Sequence, residues 1–257
     1  MKGALTQYID VAQIVLYGFW VFFAGLIVYL RREDKREGYP LESDRSRNVQ
    51  VVGFPKPPSP KTFLLAHGGG TRTAPRSEAQ QPVAATPVGP WPGAPLEPDG
   101  DPMLDAVGPA AYAMRAQAPD LTVEGHPKLA PLRVATDYGV EARDPDPRGM
   151  QVFGADDRVG GTVTDVWIDR SEPQIRYLEM EVSGANGPRR VLLPINFARI
   201  SRSDKNVKVV SLLAKHFANV PGLANPDVVT AREEDHITAY YAGGQLYAEP
   251  SRMGPLL

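Results

Sequence analysis

Five carboxylate side chains fall close together between residues 162 and 182, and carboxylates that share a site can hold and pass protons. Mutual repulsion raises at least one pKa of such a group toward neutrality, so that this carboxyl can carry a proton at physiological pH. The solvated acidic face of a sheet would have the same composition, and the sequence alone favours that simpler interpretation. The five residues are Asp165, Asp169, Glu172, Glu179 and Glu181.

The segment Glu124-Gly125-His126 is a second candidate for proton chemistry. A histidine titrates near neutral pH, and a neighbouring carboxylate can share its proton. An exposed loop histidine is again the simpler interpretation. His216 and His236 fall on predicted helices, where we expect surface or packing roles.

Hydrolase chemistry is not supported by the sequence. His67 precedes three glycines, as in the oxyanion segment of some esterases, but no serine has glycine at both flanking positions. The nucleophile elbow that such an enzyme needs is therefore missing. We expect the glycines between Leu65 and Thr71 to form the turn of a hairpin instead.

Two short strands are predicted to position the acidic residues, at 162–169 and 175–182, with residues 170–174 as the loop of a hairpin. Both segments alternate apolar and polar residues, which is typical of strands with one buried face. The predicted inward residues are Val166, Ile168, Leu178, Met180 and Val182, and the predicted outward residues are Asp165, Trp167, Asp169, Glu179 and Glu181.

The neighbouring sequence predicts a mainly-β domain, either a small barrel or a sandwich, that ends in short helices. Further strands are expected at 189–193 and 207–210. Short helices are expected at 110–116 and at 211–217, the latter with Ser211 as its N-cap. A longer helix is expected at 233–248, where the pair Gly243-Gly244 indicates close packing or a break.

Residues 11–30 contain no charged side chain and predict a single transmembrane helix. At about 1.5 Å per residue, this segment reaches roughly 30 Å, the thickness of the hydrocarbon core of a bilayer. It is too long for the apolar core of a signal peptide and lacks a small-residue cleavage site. Residues 31–37 should extend the helix into the headgroups until Gly38-Tyr39-Pro40 ends it.

Basic residues follow the span and set its predicted orientation. Lysine and arginine concentrate on the cytoplasmic side of membrane helices, so the C-terminal domain should face the cytoplasm and the N-terminus the periplasm. The same side chains should contact lipid phosphates. They are Arg31, Arg32, Lys35 and Arg36.

The composition narrows the function further. With 28 basic and 30 acidic residues and a net charge of −2, the chain has no basic stripe for nucleic acid. The absence of cysteine excludes disulfides, thiolate metal ligands and cysteine nucleophiles, and it suits a cytoplasmic domain. No phosphate loop, dinucleotide fingerprint or metal-ligand spacing is present.

A proline-rich segment, residues 41–109, is expected to be extended. It could be a disordered linker, a ligand for a proline-binding domain, or a strap along the surface of a partner. Apolar residues such as Phe63, Leu64 and Trp91 favour the strap, because a free linker would leave them in water.

Several segments resemble the H subunit of the purple-bacterial photosynthetic reaction centre, and residues 140–250 resemble the PRC-barrel domain of that family. The similarity extends over nearly the whole chain. The matching segments are Tyr29 to Leu41, Pro60 to Phe63, His67 to Gly69, Asp105 to Ala110, Pro131 to Asp137, Thr164 to Glu172 and Tyr240 to Ala248.

The resemblance implies a non-catalytic subunit that holds no cofactor itself. The L and M subunits of that complex carry the bacteriochlorophylls, bacteriopheophytins, quinones and non-haem iron. The H subunit caps their cytoplasmic face, stabilises the assembly and contributes to the route of protons to the secondary quinone. A cytochrome subunit and a light-harvesting antenna ring are further candidate partners, beside membrane lipids.

The resemblance also implies roles for individual residues. Glu172 matches a buried glutamate near the secondary quinone, and Asp169 matches an aspartate on the same proton pathway. Arg176 is expected to pair with these carboxylates. Some relatives carry an Asp and two His at the proton entry, where divalent metals bind. This chain keeps His126 but has Glu124 in place of the other histidine. We therefore expect proton entry there without tight metal binding.

The expected organisation has four parts: a short periplasmic N-terminus (1–10), the transmembrane helix with its cytoplasmic extension (11–36), the strap (37–130) and a PRC-barrel-like domain with a C-terminal helix (131–257). The expected location is the inner, intracytoplasmic membrane. The alternative is a membrane-tethered PRC-barrel adaptor that binds a cytoplasmic protein.

Overall fold

The computed structural model describes residues 10–39, 53–74, 82–91, 93–185 and 187–253. The predicted periplasmic segment lies outside these residues except for Asp10, as do residues 40–52 of the predicted strap. The chain forms two compact units. The N-terminal unit comprises Met1–Gln81 and Gly89–Pro95, and the C-terminal unit comprises Pro82–Val88 and Leu96–Leu257.

The N-terminal unit contains helix α1, Val11–Arg36. Asp10 caps it, its side chain accepting a hydrogen bond of 2.8 Å from the Gln13 amide. The helix ends where Gly38 adopts a φ of 91°, a conformation that glycine adopts without strain. Its apolar side chains are exposed, Val21 to 76%, and its length and composition suffice to cross a membrane.

Two basic side chains fasten the end of α1 to the segment that follows. The Lys35 ammonium donates hydrogen bonds of 2.6 Å to the carbonyls of Gly53 and Pro55. The Arg36 guanidinium donates to the Ser59 carbonyl, and Arg36 is buried. The returning chain is therefore held against the last turn of the helix.

A hairpin follows in the same unit, formed by β1 (Lys61–Leu64) and β2 (Thr71–Ala74). The Leu65 amide bonds to the Gly70 carbonyl at 2.9 Å. The predicted glycine turn between Leu65 and Thr71 is thus confirmed.

The C-terminal unit is mainly β. A short antiparallel pair, β3 (Ala85–Pro87) and β4 (Leu96–Pro98), precedes a seven-stranded sheet that curls into half a barrel. Six strands follow the order β10-β11-β6-β7-β8-β9, and β5 pairs with β7. The strands of the sheet are β5 (Leu129–Pro131), β6 (Gln151–Phe153), β7 (Val159–Asp169), β8 (Gln174–Gly184), β9 (Gly187–Pro194), β10 (Ala198–Ser201) and β11 (Asn206–Val209).

The predicted hairpin is β7 and β8, and its inward residues are buried as predicted. The prediction for the outward face was wrong for four of its five members, since only Glu181 is exposed. Register shifts at Val163/Asp165 and Trp167/Ile168 interrupt the strict alternation. The wrongly predicted residues are Asp165 (7% exposed), Trp167 (0%), Asp169 (1%) and Glu179 (2%).

The predicted helix at 110–116 is wrong. Only a single 3-10 turn, Gly108–Ala110, forms there. The following backbone bonds instead to the start of the last helix: the Ala113 amide donates to the Asp235 carboxylate at 2.7 Å, and the Arg232 amide donates to the Ala116 carbonyl at 3.2 Å. A segment of seven residues gains more from these contacts than from a marginal helix of its own.

The predicted helix at 211–217 is displaced. A 3-10 helix forms at Ala214–Asn219, capped at Leu213. The Asp156 carboxylate accepts a hydrogen bond of 3.0 Å from the Ala214 amide, which fixes this start. Ser211 is buried rather than a cap, and its hydroxyl has no hydrogen-bond partner in the part of the chain that the structure describes.

Helix α2, Ala231–Tyr247, closes the unit. Thr230 and Glu233 form a reciprocal cap at its start, with hydrogen bonds of 3.2 and 2.8 Å. The glycine pair lies inside the helix, so close packing is the correct interpretation. A Cβ on Gly243 would lie 2.6 Å from the Cβ of Ala110, and one on Gly244 would lie 2.6 Å from the Ser211 carbonyl oxygen.

We predict that Gly244→Ala destabilises the C-terminal unit by about 1–3 kcal/mol, because the added methyl group meets backbone that must shift. In an exposed helix, the same change would stabilise by about 0.4–1 kcal/mol. Denaturation of the full-length chain in detergent, followed by circular dichroism, measures the difference. Gln245→Ala, at an exposed position one residue on, is the control and should change the stability by less than about 0.5 kcal/mol; a stabilised G244A would contradict the packing argument.

Candidate functional site

Asp169 is the most tightly held carboxylate of the predicted site. The amides of Ser171 and Glu172 donate to its Oδ1 at 2.9 and 3.2 Å. Its Oδ2 lies 3.2 Å from the Lys128 ammonium and 3.3 Å from the Arg176 guanidinium. Burial raises the pKa of Asp169, but these hydrogen bonds and cations together outweigh it, so the pKa lies below its usual range. Asp169 is therefore ionised at neutral pH.

Glu172 lies in the turn between β7 and β8, and its side chain is 70% exposed. One carboxylate oxygen is 3.6 Å from the Arg176 guanidinium and accepts a hydrogen bond of 3.1 Å from the Gln174 amide group. The resemblance matched Glu172 to a buried residue. Within this chain the carboxylate faces outward, so a partner would have to bury it.

Arg176 joins the two acidic residues. Its guanidinium contacts Asp169 on the inner side and Glu172 on the outer side, and its own side chain is 40% exposed. The predicted pairing of Arg176 with both carboxylates is present in the structure. A continuous polar contact thus leads from a buried, ionised aspartate to an exposed glutamate.

The predicted proton entry is a tight loop beside this cluster. The Thr122 amide donates to the His126 carbonyl at 2.8 Å, and Gly125 adopts a φ of 85° at the turn. Glu124 and His126 are both exposed. A hydrogen bond from Thr122 lowers the pKa of Glu124, with a smaller contribution from the charge of His126.

Two clefts flank the turn between β7 and β8. His126 and Glu124 line a groove of about 580 Å³ together with Arg170 and Ser171. A second cleft, of about 170 Å³, is lined on the other side by a mixed set of charged, polar and apolar residues. We call it the charged cleft; its lining comprises Asp120, Lys128, Leu129, Asp169, Arg176, Tyr177, Pro194, Ile195, Asn196, Glu234 and Thr238.

Two residues that are adjacent in the chain line different clefts. Asp169 belongs to the charged cleft and Arg170 to the groove, and the Arg170 amide donates to the Lys128 carbonyl at 2.9 Å. All five residues predicted for the proton pathway therefore lie around one turn of the sheet: Glu124, His126, Asp169, Glu172 and Arg176.

Asp165 and Glu179 form a separate cluster. They are paired across β7 and β8, and the Arg133 guanidinium binds them at 3.0 and 2.8 Å. The Trp167 indole donates to Glu179 at 3.0 Å, and Arg133 also binds Asp227 at 2.9 Å. These carboxylates are tied into the interior of the sheet, which indicates a structural role.

The charged cleft contains an acidic residue that the sequence analysis did not single out. Glu234, in the first turn of α2, accepts a hydrogen bond of 2.9 Å from the Tyr177 hydroxyl. Burial raises the pKa of Glu234 above its usual range, although the bond from Tyr177 opposes the rise. In the sequence an acidic residue near a helix start indicates only a favourable interaction with the helix dipole. Its partner lies 57 residues away, so no local signal identifies it.

The two remaining histidines of this unit are packing residues. His236 stacks on Tyr112 with ring centres 4.1 Å apart. His216 accepts a hydrogen bond of 3.3 Å from the Leu213 amide. Burial lowers the pKa of both imidazoles. Among the described residues, no three His, Asp or Glu side chains come together as metal ligands.

The basic residues after the span differ in their surroundings. Arg31 and Arg32 are exposed, and Arg31 bonds to Asp34 at 3.2 Å. Lys35 and Arg36 make the contacts with the returning chain described above. Arg31 and Arg32 thus keep the most freedom to reach a lipid phosphate.

Comparison with models of protein families finds two matches. Residues 3–134 match the model described as photosynthetic reaction centre, H-chain N-terminal region. Residues 139–213 match the PRC-barrel domain, over the part of the chain that contains β6 to β11. The first match alone covers slightly more than half of the 257 residues.

We predict that Arg133→Met destabilises the C-terminal unit by about 3 kcal/mol, the lower end of the range for removing one partner of a buried pair, because Asp165 loses its ion pair and Glu179 is left with the Arg190 guanidinium at 3.4 Å. Denaturation of the full-length chain measures the loss. Adding Asp165→Asn and Glu179→Gln to R133M should recover part of it.

The control for this prediction is Arg143→Met. Arg143 is 94% exposed, and its one ion pair among the described residues is with the exposed Glu141 at 3.6 Å, so the change should cost less than about 0.5 kcal/mol. Equal losses in R133M and R143M would show that the buried cluster does not depend on its cation.

Proposed function

The chain belongs to the family of photosynthetic reaction centre H chains, and from this premise we propose that it caps the cytoplasmic face of the L and M subunits and delivers protons to the secondary quinone. H chains are structural, non-catalytic subunits that associate with L and M. The finer roles, proton delivery above all, rest on the residues of this chain.

The observation that carries the proposal is the path from Asp169 through Arg176 to Glu172. Asp169 is buried and ionised, Glu172 is 70% exposed, and the Arg176 guanidinium contacts both. A membrane subunit that covers this turn would exclude water from Glu172 and leave its carboxylate facing the partner, where it could pass a proton to the quinone site.

The entry end of the proposed route is the groove beside His126 and Glu124. The imidazole of His126 is exposed to bulk water, from which protons must come. The ionised Glu124 increases the local proton concentration. The two clefts on either side of the Lys128–Arg170 hydrogen bond support a route from this groove toward Asp169 and Glu172.

The proposal for the membrane follows from α1. The helix crosses the inner, intracytoplasmic membrane once, with the N-terminus in the periplasm and the main domain in the cytoplasm, as the basic residues after the span indicate. Arg31, Arg32, Lys35 and Arg36 are the proposed headgroup contacts. Residues 1–10, 11–36, 37–130 and 131–257 are the periplasmic end, the anchor, the strap and the PRC-barrel domain.

The proposed complex places all cofactors on the partners. L and M hold the bacteriochlorophylls, bacteriopheophytins, quinones and non-haem iron, and this chain supplies only protein groups around the proton route. A cytochrome subunit and a light-harvesting antenna ring are proposed as further partners in the same membrane.

We predict that Glu172→Gln in the assembled reaction centre slows the proton-coupled transfer of the second electron to the quinone. The expected slowing is on the order of tenfold or more, since a positioned proton carrier contributes roughly 10²–10⁴-fold and parallel routes offset part of it. Primary charge separation should be unchanged, because no cofactor lies on this chain. Flash spectroscopy with a pH-indicator dye measures both.

Glu181→Gln is the matched control, since Glu181 lies on β8 but is exposed and lines neither cleft beside the turn. E181Q should behave as the wild type. Proton uptake that is as fast in E172Q as in E181Q would refute the assignment of Glu172.

The alternative function is a membrane-tethered adaptor, because the PRC-barrel match by itself does not specify a partner. We predict that the affinity-purified chain, solubilised from its native membrane, carries two hydrophobic subunits and near-infrared bacteriochlorophyll bands that bleach on illumination. A colourless, intact preparation with a cytoplasmic protein bound would favour the adaptor. A colourless preparation would also remove the support for the proton route.

A further inference from the structure

Glu234 differs from the other acidic residues of the charged cleft because it has no cation bound to it. Asp169 has Lys128 and Arg176 within 3.3 Å. Within the described ranges, no salt bridge to Glu234 forms, and its one side-chain hydrogen bond comes from the Tyr177 hydroxyl. The carboxyl of Glu234 is therefore free to change its protonation state without breaking an ion pair.

The charged groups around Glu234 come from two elements. On the segment before β5, Asp120 raises the pKa of Glu234 and Arg115 lowers it. These two lie 3.8 Å apart and partly neutralise each other. On β8, Arg176 also lowers the pKa, but its guanidinium is already engaged with Asp169 and Glu172.

Burial dominates this balance, so the pKa of Glu234 lies above its usual range. The protonation state of Tyr177 does not change near neutral pH. It is 6% exposed, and burial and the nearby Glu234 raise its own pKa far above neutrality. Tyr177 therefore donates its hydrogen bond at every pH at which Glu234 titrates.

The charged cleft offers a route between Glu234 and the site already described. Glu234, Tyr177, Asp169 and Arg176 all line it. Its volume of about 170 Å³ leaves room for several water molecules, each of which occupies about 30 Å³ in the liquid. Polar groups line its walls, and a polar cavity of this kind holds water.

We propose that Glu234 is a proton-holding residue of this chain, which exchanges its proton with water in the charged cleft, past the ionised Asp169 and toward Glu172. The proposal rests on the proposed function and adds a residue to it. Glu234 gives its proton to the water chain as the partner subunits reduce the quinone, and it regains a proton from bulk water. No bond other than O–H changes.

Two variants test the proposal in assembled reaction centres. Glu234→Gln keeps the shape and the acceptor for Tyr177 but cannot titrate. Tyr177→Phe keeps the ring and removes a hydrogen bond that favours the ionised carboxylate, so it should raise the pKa of Glu234. A hydrogen bond worth about 0.5–1.5 kcal/mol corresponds to a rise of roughly 0.4–1 pH unit at 1.36 kcal/mol per unit.

The first measurement is the light-minus-dark infrared difference spectrum, in which a carboxylic acid that changes its protonation state gives a C=O band. We expect one band to be lost in E234Q and kept in Glu181→Gln, the exposed control. The second is the pH dependence of flash-induced proton uptake. Y177F should move one of its midpoints to higher pH, and the double variant Y177F/E234Q should lack that midpoint.

The outcomes separate this inference from the proposed function. If E172Q slows the second electron transfer while E234Q keeps every carboxylic band and Y177F moves no midpoint, Glu234 is only a structural partner of Tyr177 and the inference fails. If E172Q has no effect, the proposed route fails, and a band lost in E234Q would still identify Glu234 as a titrating group. An effect of E234Q without the Y177F shift would overturn the assigned role of Tyr177.

Discussion

The short strand β5 carries a cation at each end, and the arrangement of the sheet depends on these two charges. Lys128 precedes the strand and binds Asp169, while Arg133 follows it and binds Asp165 and Glu179. Buried carboxylates without cations would cost several kcal/mol each. Because β5 pairs with β7, this pairing brings both cations next to the buried carboxylates. The hairpin can therefore bury Asp165, Asp169 and Glu179.

Much of the sheet could be predicted from the sequence, but the second face of its main hairpin could not. Alternation correctly assigned the residues of one face, such as Leu178 and Met180, to the core. On the other face it can distinguish only polar from apolar side chains. It cannot show that Arg133, 46 residues before Glu179 along the chain, covers the carboxylates. Polar residues that have such a distant partner look the same in the sequence as polar residues in water.

The short elements were harder to predict for a related reason. β5, β6 and β10 contain three or four residues each, too few to display a period of two. The segment 110–116 has the composition of a helix, yet its Ala113 amide and its Ala116 carbonyl form hydrogen bonds with the start of α2. Helix propensity amounts to tenths of a kcal/mol per residue, so a few tertiary hydrogen bonds override it in a short segment. α1 and α2 are long enough for the pattern of apolar residues in the sequence to predict a helix.

The acidic residues of the candidate site differ in whether a cation is bound to them. Asp169, with two cations and two amide donors, keeps its charge and supplies a constant field. Among the described residues, Glu234 has only the Tyr177 hydroxyl as a side-chain partner, so its charge responds to its surroundings. Glu172 faces outward, with one distant guanidinium beside it. The resemblance pointed to Asp169 and Glu172 through local motifs. Glu234 could be identified only from the fold. Its charge can change because, within the described part of the chain, no cation binds it, and a sequence motif does not show that such a partner is absent. In a family whose cofactors sit on the L and M subunits, such a group is the part through which this subunit can influence the chemistry of its neighbours.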